Sequence, residues 1–198
     1  ATGGTIQIYT KDDTDTSIGA SVGNFGRRTN TMSTGFSTEK FQFSAFGDYY
    51  KQDGYSDRGP DGNRDEGELL NSKIRFQYKP TESSEFSIGK KTTYLEYRYP
   101  NLLSKSTFEQ NPGSNDKGAA GTPTNYTHQT ETTDSIVFGS SIKLNKNIEH
   151  NLDYSYVDQT RVLTDARRYK THYIDESLKY LNGPLTLITG GQFWYGDR

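Results

Sequence analysis

Residues 57–68, DRGPDGNRDEGE, concentrate oxygen-bearing side chains that suit a hard cation. The four carboxylates that make this segment a candidate calcium loop belong to Asp57, Asp61, Asp65 and Glu66. Glycines between them permit the tight turns that such a loop needs. The D-x-N-x-D spacing from Asp61 is similar to the start of an EF-hand, but Gly67 comes one place late and no Glu occupies the twelfth position. The competing interpretation is a solvated acidic loop neutralised by Arg58 and Arg64.

Three tyrosines are candidates for contact with an organic ligand. Tyr55 follows Gly54 in the same polar segment, whereas Tyr94 and Tyr97 lie near the end of a long alternating run. Tyrosines in these positions are also typical of the aromatic residues that anchor strands at a membrane interface. Both interpretations stay open at this stage.

Motifs that would indicate catalysis are missing from the sequence. There is no Ser/His/Asp arrangement, no phosphate-binding glycine loop and no cysteine. His128, His150 and His172 fall on a predicted loop, a turn and a strand, so we do not expect them to share a metal. With 23 basic and 25 acidic residues, the chain also lacks the positive charge that nucleic-acid binding requires. We therefore expect neither an enzyme nor a nucleic-acid-binding protein.

Strict alternation of apolar and polar residues dominates the rest of the chain. In 40–50, KFQFSAFGDYY, Phe41, Phe43 and Ala45 share one side and Lys40 and Gln42 the other. This period of two predicts β-strands, and helical periodicity is weak throughout. After an opening strand in residues 5–10, nine segments are predicted: 17–22, 32–36, 40–50, 72–80, 86–100, 134–145, 149–160, 171–182 and 184–198. The fold class is thus predicted to be all-β, as an antiparallel up-and-down meander.

The connections between these segments differ in length. Residues 51–68, 101–131 and 158–170 are long and polar, whereas 37–40, 79–85, 145–150 and 181–184 are short. The connection of the first hairpin, GNFGRR, is short, although it belongs to the end that otherwise carries the long connections. Alternate connections of a meander emerge at opposite ends, so short turns are predicted at one end and long loops at the other. Short turns opposite long loops are typical of outer-membrane barrels.

Composition favours a membrane barrel over a packed soluble core. Only 30% of the residues are hydrophobic, while 13% are aromatic, so aliphatic side chains are scarce. No run of about 18 apolar residues predicts a membrane helix, but a membrane strand needs only about 9–11 alternating residues. Lys73, Arg75, Gln77, Lys90 and Lys91 are predicted to line a polar lumen. A soluble β-sandwich or lipocalin-like barrel shares the alternation and stays an alternative.

The segment GGTIQIYTK near the start resembles the junction between plug and barrel in TonB-dependent outer-membrane receptors. The matching residues are Gly3, Gly4, Ile6, Ile8, Thr10 and Lys11. The first hairpin and the strand that reaches GDYYKQDGY are also similar to that family. The resemblance implies that residues 1–13 end a plug and that 14–198 form about nine strands of a larger barrel of about 22 strands. The chain is then expected to be an internal part of a longer protein, a partial transmembrane β-barrel.

That resemblance implies a function in uptake at the bacterial outer membrane. Such receptors import a scarce, large ligand, a siderophore–iron complex or cobalamin, and draw energy from TonB through the plug. Expected partners are therefore outer-membrane lipid, TonB and the ligand. Cobalamin receptors of the family also bind calcium in an early extracellular loop, which residues 54–73 resemble in position and acidity. The alternatives are a passive porin-like or small outer-membrane barrel and a soluble β-sandwich binding module.

Overall fold

The computed structural model describes residues 14–115 and 125–197. The predicted opening strand and the predicted plug segment, residues 1–13, lie outside this part of the chain. The described elements are β1 Ser17–Val22, β2 Arg28–Ser37, β3 Phe41–Gln52, β4 Gly67–Thr81, β5 Ser84–Tyr99, α1 Lys105–Gln110, β6 Thr127–Asn145, β7 Ile148–Val162, β8 Ala166–Asn182 and β9 Leu185–Asp197. All nine predicted strands are present.

The nine strands form one antiparallel sheet in which each strand pairs with its neighbours in the sequence, from β1 to β9. This confirms the predicted all-β meander. Within the described residues β1 and β9 do not pair with each other, so the sheet is open at both edges. The short helix α1 is capped by the Ser104 hydroxyl, which accepts a hydrogen bond of 3.1 Å from the Thr107 amide.

The strand register brings the apolar side of every strand to the same side of the sheet. Residues directly opposite each other in an antiparallel pair point to one face. One such row crosses eight strands and consists of Phe36, Phe43, Phe76, Ile88, Phe138, Tyr154, Ile174 and Phe193. We call this side the apolar face. The other side, the polar face, carries mainly Ser, Thr, Asn, Gln and charged residues.

The apolar face is not covered by any other described element. Ile74, Ile88 and Phe193 on this face are 52%, 53% and 65% exposed. Among the described residues the one buried hydrophobic side chain is Tyr126, and it lies in a loop rather than under the sheet. The sheet therefore has two solvent-accessible faces of opposite character and no interior of its own.

The apolar residues follow a diagonal across the sheet. On β1 they begin at Ile18, opposite Met32 and on the loop side of Phe36. On β9 they begin at Leu185, beside the turn that joins β8 and β9 and on the turn side of Phe193. From β1 to β9, these apolar residues, the apolar band, therefore shift steadily away from the loop side and toward the turn side of the rows that paired residues form across the strands. Strands that cross a horizontal apolar layer at a tilt have this pattern.

Four tight connections, 38–40, 82–83, 146–147 and 183–184, define a turn end of the sheet. The opposite loop end carries 23–27, 53–66, 100–126 and 163–165. The predicted long connection over residues 158–170 is therefore wrong. Its polar residues extend β7 and β8 beyond the apolar band, where Arg161 and Gln159 donate hydrogen bonds of 2.8 Å to Gln129 and Glu131 on β6.

Candidate ligand-binding loop cluster

The two long connections at the loop end are bound to each other through Asp57. Its amide donates to the Gly113 carbonyl over 2.7 Å, and its carboxylate accepts from the Asn111 side chain over 2.9 Å. Its carbonyl accepts from the Tyr126 hydroxyl over 2.7 Å. One residue of the β3–β4 loop thus contacts three residues of the β5–β6 loop. We call residues 53–66, 100–115 and 125–126 the loop cluster.

A small polar core lies inside the loop cluster. Ser56 is 2% exposed and Asn115 is 3% exposed. The Ser56 amide donates to Asp65 Oδ1 over 2.9 Å, and Asn115 Oδ1 accepts from the Asn101 amide over 3.2 Å. Tyr126 is the apolar member of this core, and burial raises the pKa of its phenol. Polar groups that are both buried and paired hold loops in one conformation.

Gly54 is required where the β3–β4 loop folds back on itself. Its φ of 76° lies in the left-handed region, and a Cβ at this position would lie 2.5 Å from Asp65 Oδ1 and 2.8 Å from the Asp65 carbonyl carbon. Only glycine allows this approach at no steric cost. In the sequence, the residue that indicates how this loop folds is therefore Gly54 rather than the acidic residues.

The four carboxylates predicted to bind calcium each have protein donors of their own. Asp61 accepts from the Asn63 amide and side chain over 3.1 and 2.9 Å, and these bonds lower the pKa of Asp61. Asp57 accepts from Asn111 and Asp65 from Ser56, as described above, while Glu66 pairs with Arg98 on β5. No three His, Cys, Asp or Glu side chains of the described residues are placed to hold a metal together. Calcium binding therefore stays a prediction without support from this arrangement.

Tyr55 lies at the surface of the loop cluster next to an aromatic residue that the sequence did not single out. Its ring contacts Phe25 edge-on, with 6.1 Å between centroids, and the two side chains are 60% and 62% exposed. Phe25 has a φ of 58°, which is unusual for a bulky residue. The short NFGR turn forces this conformation, because the Arg27 amide bonds back to the Asn24 carbonyl over 3.2 Å. Such strain is characteristic of functional sites.

The other two candidate tyrosines lie on opposite faces of β5. Tyr94 is on the apolar face opposite Leu70, and its hydroxyl donates to Glu96 over 2.5 Å. Tyr97 is on the polar face, 5.7 Å from the Tyr99 ring. Because the two are three residues apart on a strand, they cannot face one ligand. The structure brings Tyr55 together with Phe25.

The three histidines all lie on strands and each has a different partner. His128 Nε2 lies 2.9 Å from Glu96 Oε1, and His150 Nε2 lies 2.9 Å from Glu176 Oε1. His172 Nδ1 lies 2.9 Å from the Tyr154 hydroxyl. The loop and turn positions predicted for His128 and His150 are therefore wrong, because β6 and β7 begin earlier than their apolar residues.

Two pairs of like charges stand directly opposite each other on the polar face. Lys73 and Lys91 stand directly opposite each other on β4 and β5, with Arg75 on the same face. Asp153 and Asp175 stand opposite each other on β7 and β8. Of the residues predicted to line a lumen, only Lys90 lies on the other face, where it is 3.9 Å from Asp134.

A shallow concavity of about 330 Å³ opens on the polar face beside Asp153 and Asp175. Its lining includes Asp153, Tyr173, Asp175, Gln192 and Trp194. The Gln192 side chain donates to Asp175 over 2.5 Å. The concavity combines carboxylates with aromatic rings, so a cationic group fits its chemistry better than an anionic one.

No protein-family model matches the chain, and no curated protein sequence matches it either. The described residues contain no helix that is both long and apolar enough to cross a membrane. Function is therefore inferred from the loop cluster and from the two faces of the sheet.

Proposed function

We propose that this chain forms part of the wall of a TonB-dependent outer-membrane receptor, which imports a scarce, large ligand by energy-coupled transport. The observation that carries the proposal is the apolar face. Nine strands present their apolar sides on one uncovered surface and their polar sides on the other. A soluble protein rarely exposes a contiguous apolar patch larger than a few hundred square ångströms. A sheet with an apolar and a polar face fits a position between lipid on one side and water on the other.

The diagonal of the apolar band supports a tilted, barrel-like wall. A flat sheet with upright strands would keep its apolar residues in the same hydrogen-bonded rows from β1 to β9. Here the band moves from the loop side of Phe36 to the turn side of Phe193. Closing a sheet into a barrel requires such tilt and stagger. We therefore infer that β1–β9 curve around an aqueous lumen lined by the polar face.

The loop cluster is the part of the wall best suited to bind the ligand. Binding residues are concentrated in loops that a rigid scaffold positions. Tyr55 and the neighbouring Phe25 supply exposed rings beside each other. The Ser56 amide next to Tyr55 donates to Asp65, and the Asp53 amide donates to the Phe25 carbonyl over 2.9 Å. The TonB-dependent class, and with it a siderophore–iron complex or cobalamin as ligand, is proposed from the resemblance of GGTIQIYTK.

The first experiment separates this proposal from its two alternatives. The full-length protein is expected in the outer-membrane fraction and to need detergent for extraction. Uptake of the ligand should stop when the proton-motive force is collapsed, because TonB transmits that energy. Uptake that continues without energy would indicate a passive porin. A protein that stays soluble and monomeric without detergent would indicate a β-sandwich module and overturn the proposal.

A second experiment identifies the ligand and tests the aromatic pair. Binding of cobalamin and of ferric siderophores to the purified receptor is measured by fluorescence quenching. We expect the F25A/Y55A variant to bind the true ligand at least about tenfold more weakly, since two aromatic contacts are lost. F41A/Y78A is the matched control, because Phe41 and Tyr78 are a stacked aromatic pair next to the turn end. Equal affinity of F25A/Y55A and the unaltered protein would remove these residues from the site.

Calorimetric titration with calcium tests the cation prediction. The titration compares the unaltered protein with D61N/D65N. A heat of binding that disappears in the variant would support the calcium loop. The absence of any heat in the unaltered protein would exclude it, leaving an acidic loop bound to its own donors.

A further inference from the structure

An ionisable pair interrupts the apolar face on β7 and β8. His150 Nε2 and Glu176 Oε1 are 2.9 Å apart across the two strands. We call these two residues the polar pair. On the same side of β7, Ile148 and Leu152 flank His150, and on β8, Ile174 and Leu178 flank Glu176. The polar pair therefore lies within the apolar band rather than at its margin.

Three small residues lie near the polar pair in the neighbouring strands, although Ile142 on β6 stands directly opposite His150. Gly191 on β9 stands opposite Glu176, and Thr189 stands opposite Leu178. Ser140 on β6 stands opposite Leu152. The row that contains Ser140, Leu152, Glu176 and Gly191 continues into β5, β4 and β3 as Phe86, Tyr78 and Phe41. This row thus loses its aromatic residues in β6–β9, where only Leu152 is a large apolar side chain.

Lipid tails are a poor cover for this surface. Ionisable groups inside a membrane are costly, and they usually face protein or water. Hydrogen-bonding side chains surrounded by small residues characterise contacts between proteins within membranes, because small residues allow close backbone approach. The Glu176 side chain is 57% exposed, which leaves room for a further donor.

We propose that the polar pair and its small neighbours Ser140, Thr189 and Gly191 form the contact between two copies of this chain in the membrane. The proposal rests on the proposed function, because it takes the apolar face as the lipid-facing one. The pair is self-complementary: an imidazole lies beside a carboxylate. A two-fold axis through this surface brings His150 of each copy to Glu176 of the other.

Cysteine cross-linking in intact outer membranes tests this contact directly. The sequence contains no cysteine, so an introduced one has no competing thiol within it. Leu178, which stands opposite His150 and lies next to the two-fold axis, is replaced by cysteine in L178C. The matched control is S72C, on the apolar face of β4. With copper–phenanthroline as oxidant, we expect a disulfide-linked dimer from L178C and at least about tenfold less from S72C.

A second measurement tests the polar pair itself. The dimer fraction of the detergent-solubilised receptor is measured by sedimentation. We expect H150L/E176L to raise the dissociation constant of the dimer about tenfold or more, because interchain hydrogen bonds are lost. E176Q should keep the dimer, since glutamine still accepts a hydrogen bond.

The outcomes distinguish this inference from the proposed function. If the protein is recovered in the outer membrane but L178C yields no dimer, the contact between copies is wrong and the receptor assignment is unaffected. A cross-linked product that contains a different protein also overturns the contact between copies. Recovery in the soluble fraction overturns both proposals.

Discussion

The two halves of the apolar face use the same strand pattern for different surroundings. In β3–β5, one row holds Phe41, Tyr78 and Phe86, and the next holds Phe43, Phe76 and Ile88. In β6–β9, the continuation of the first row holds Ser140, Leu152, Glu176 and Gly191. Alternation therefore tells which side of a strand is apolar. The size and polarity of the side chains on that side indicate what covers it.

The largest effect is expected from a charge in the aromatic half. Phe76 lies in the middle of the apolar face, and Arg at the midplane of a membrane strand costs about 2–4 kcal/mol. F76R should therefore lower the free energy of unfolding by that amount in urea titrations of the receptor in lipid vesicles. S155R, on the polar face of β7, is the control and should change it by less than about 1 kcal/mol. Equal effects of the two variants would contradict the assignment of the faces.

The next effect comes from breaking the polar pair one residue at a time. H150L leaves Glu176 without its partner, and an unsatisfied polar group costs about 1–3 kcal/mol. H150L/E176L removes both groups and should recover most of that free energy. Unfolding of the monomer measures the coupling. Additive losses in a double-mutant cycle would indicate that the two side chains act independently.

An aromatic residue introduced into β6–β9 makes this half of the apolar face resemble β3–β5 and tests the comparison between them. G191F places an aromatic ring in the row that already contains Phe86, and a Cβ at Gly191 meets only the Phe193 ring, at 3.4 Å. The variant should fold normally, with a change in the free energy of unfolding of less than about 1 kcal/mol. It should also reduce the dimer fraction. An unchanged dimer fraction would indicate that small residues are not needed there.

The smallest effect concerns the loop cluster, which belongs to neither half of the face. Hydrogen bonds from Asn63 lower the pKa of Asp61 below its ordinary value of 3.8. The stabilisation is therefore fully present above pH 3.8 and is lost as the pH falls through the lower pKa of the folded state. Carboxyl-carbon NMR should show Asp61 titrating below pH 3.8. N63A should raise the pKa of Asp61 only part of the way back, because it removes the side-chain donor and keeps the Asn63 amide. An unaltered titration in N63A would contradict the contribution of the side chain.

Local alternation allowed the strands and their apolar sides to be predicted, because a period of two is visible in each segment alone. The β7–β8 connection could not be predicted in this way. Arg161 and Arg168 read as loop residues because these strands continue beyond the apolar band, where both faces are polar. Where a strand extends into water, its end is determined by hydrogen bonds to the neighbouring strands rather than by the burial of apolar side chains.

The polar pair and the aromatic pair of the candidate site depend on register between strands and loops. His150 and Glu176 are 26 residues apart, and nothing local indicates that they meet. Phe25 and Tyr55 come together because 23–27 and 53–66 emerge at the same end of the sheet. Tyr94 and Tyr97 illustrate the opposite case, since the strand itself separates them.

The bonds that Asp57 makes across the two long connections have a consequence for recognition. Surface loops often lose conformational entropy when a ligand arrives, and that loss reduces affinity. Here Gly113, Asn111 and Tyr126 already hold the β3–β4 loop in place before any ligand is present. Binding to this preorganised surface requires little further ordering of the loop. The site then distinguishes ligands by their shape, because a loop held by these hydrogen bonds does not rearrange to accept a molecule that fits poorly.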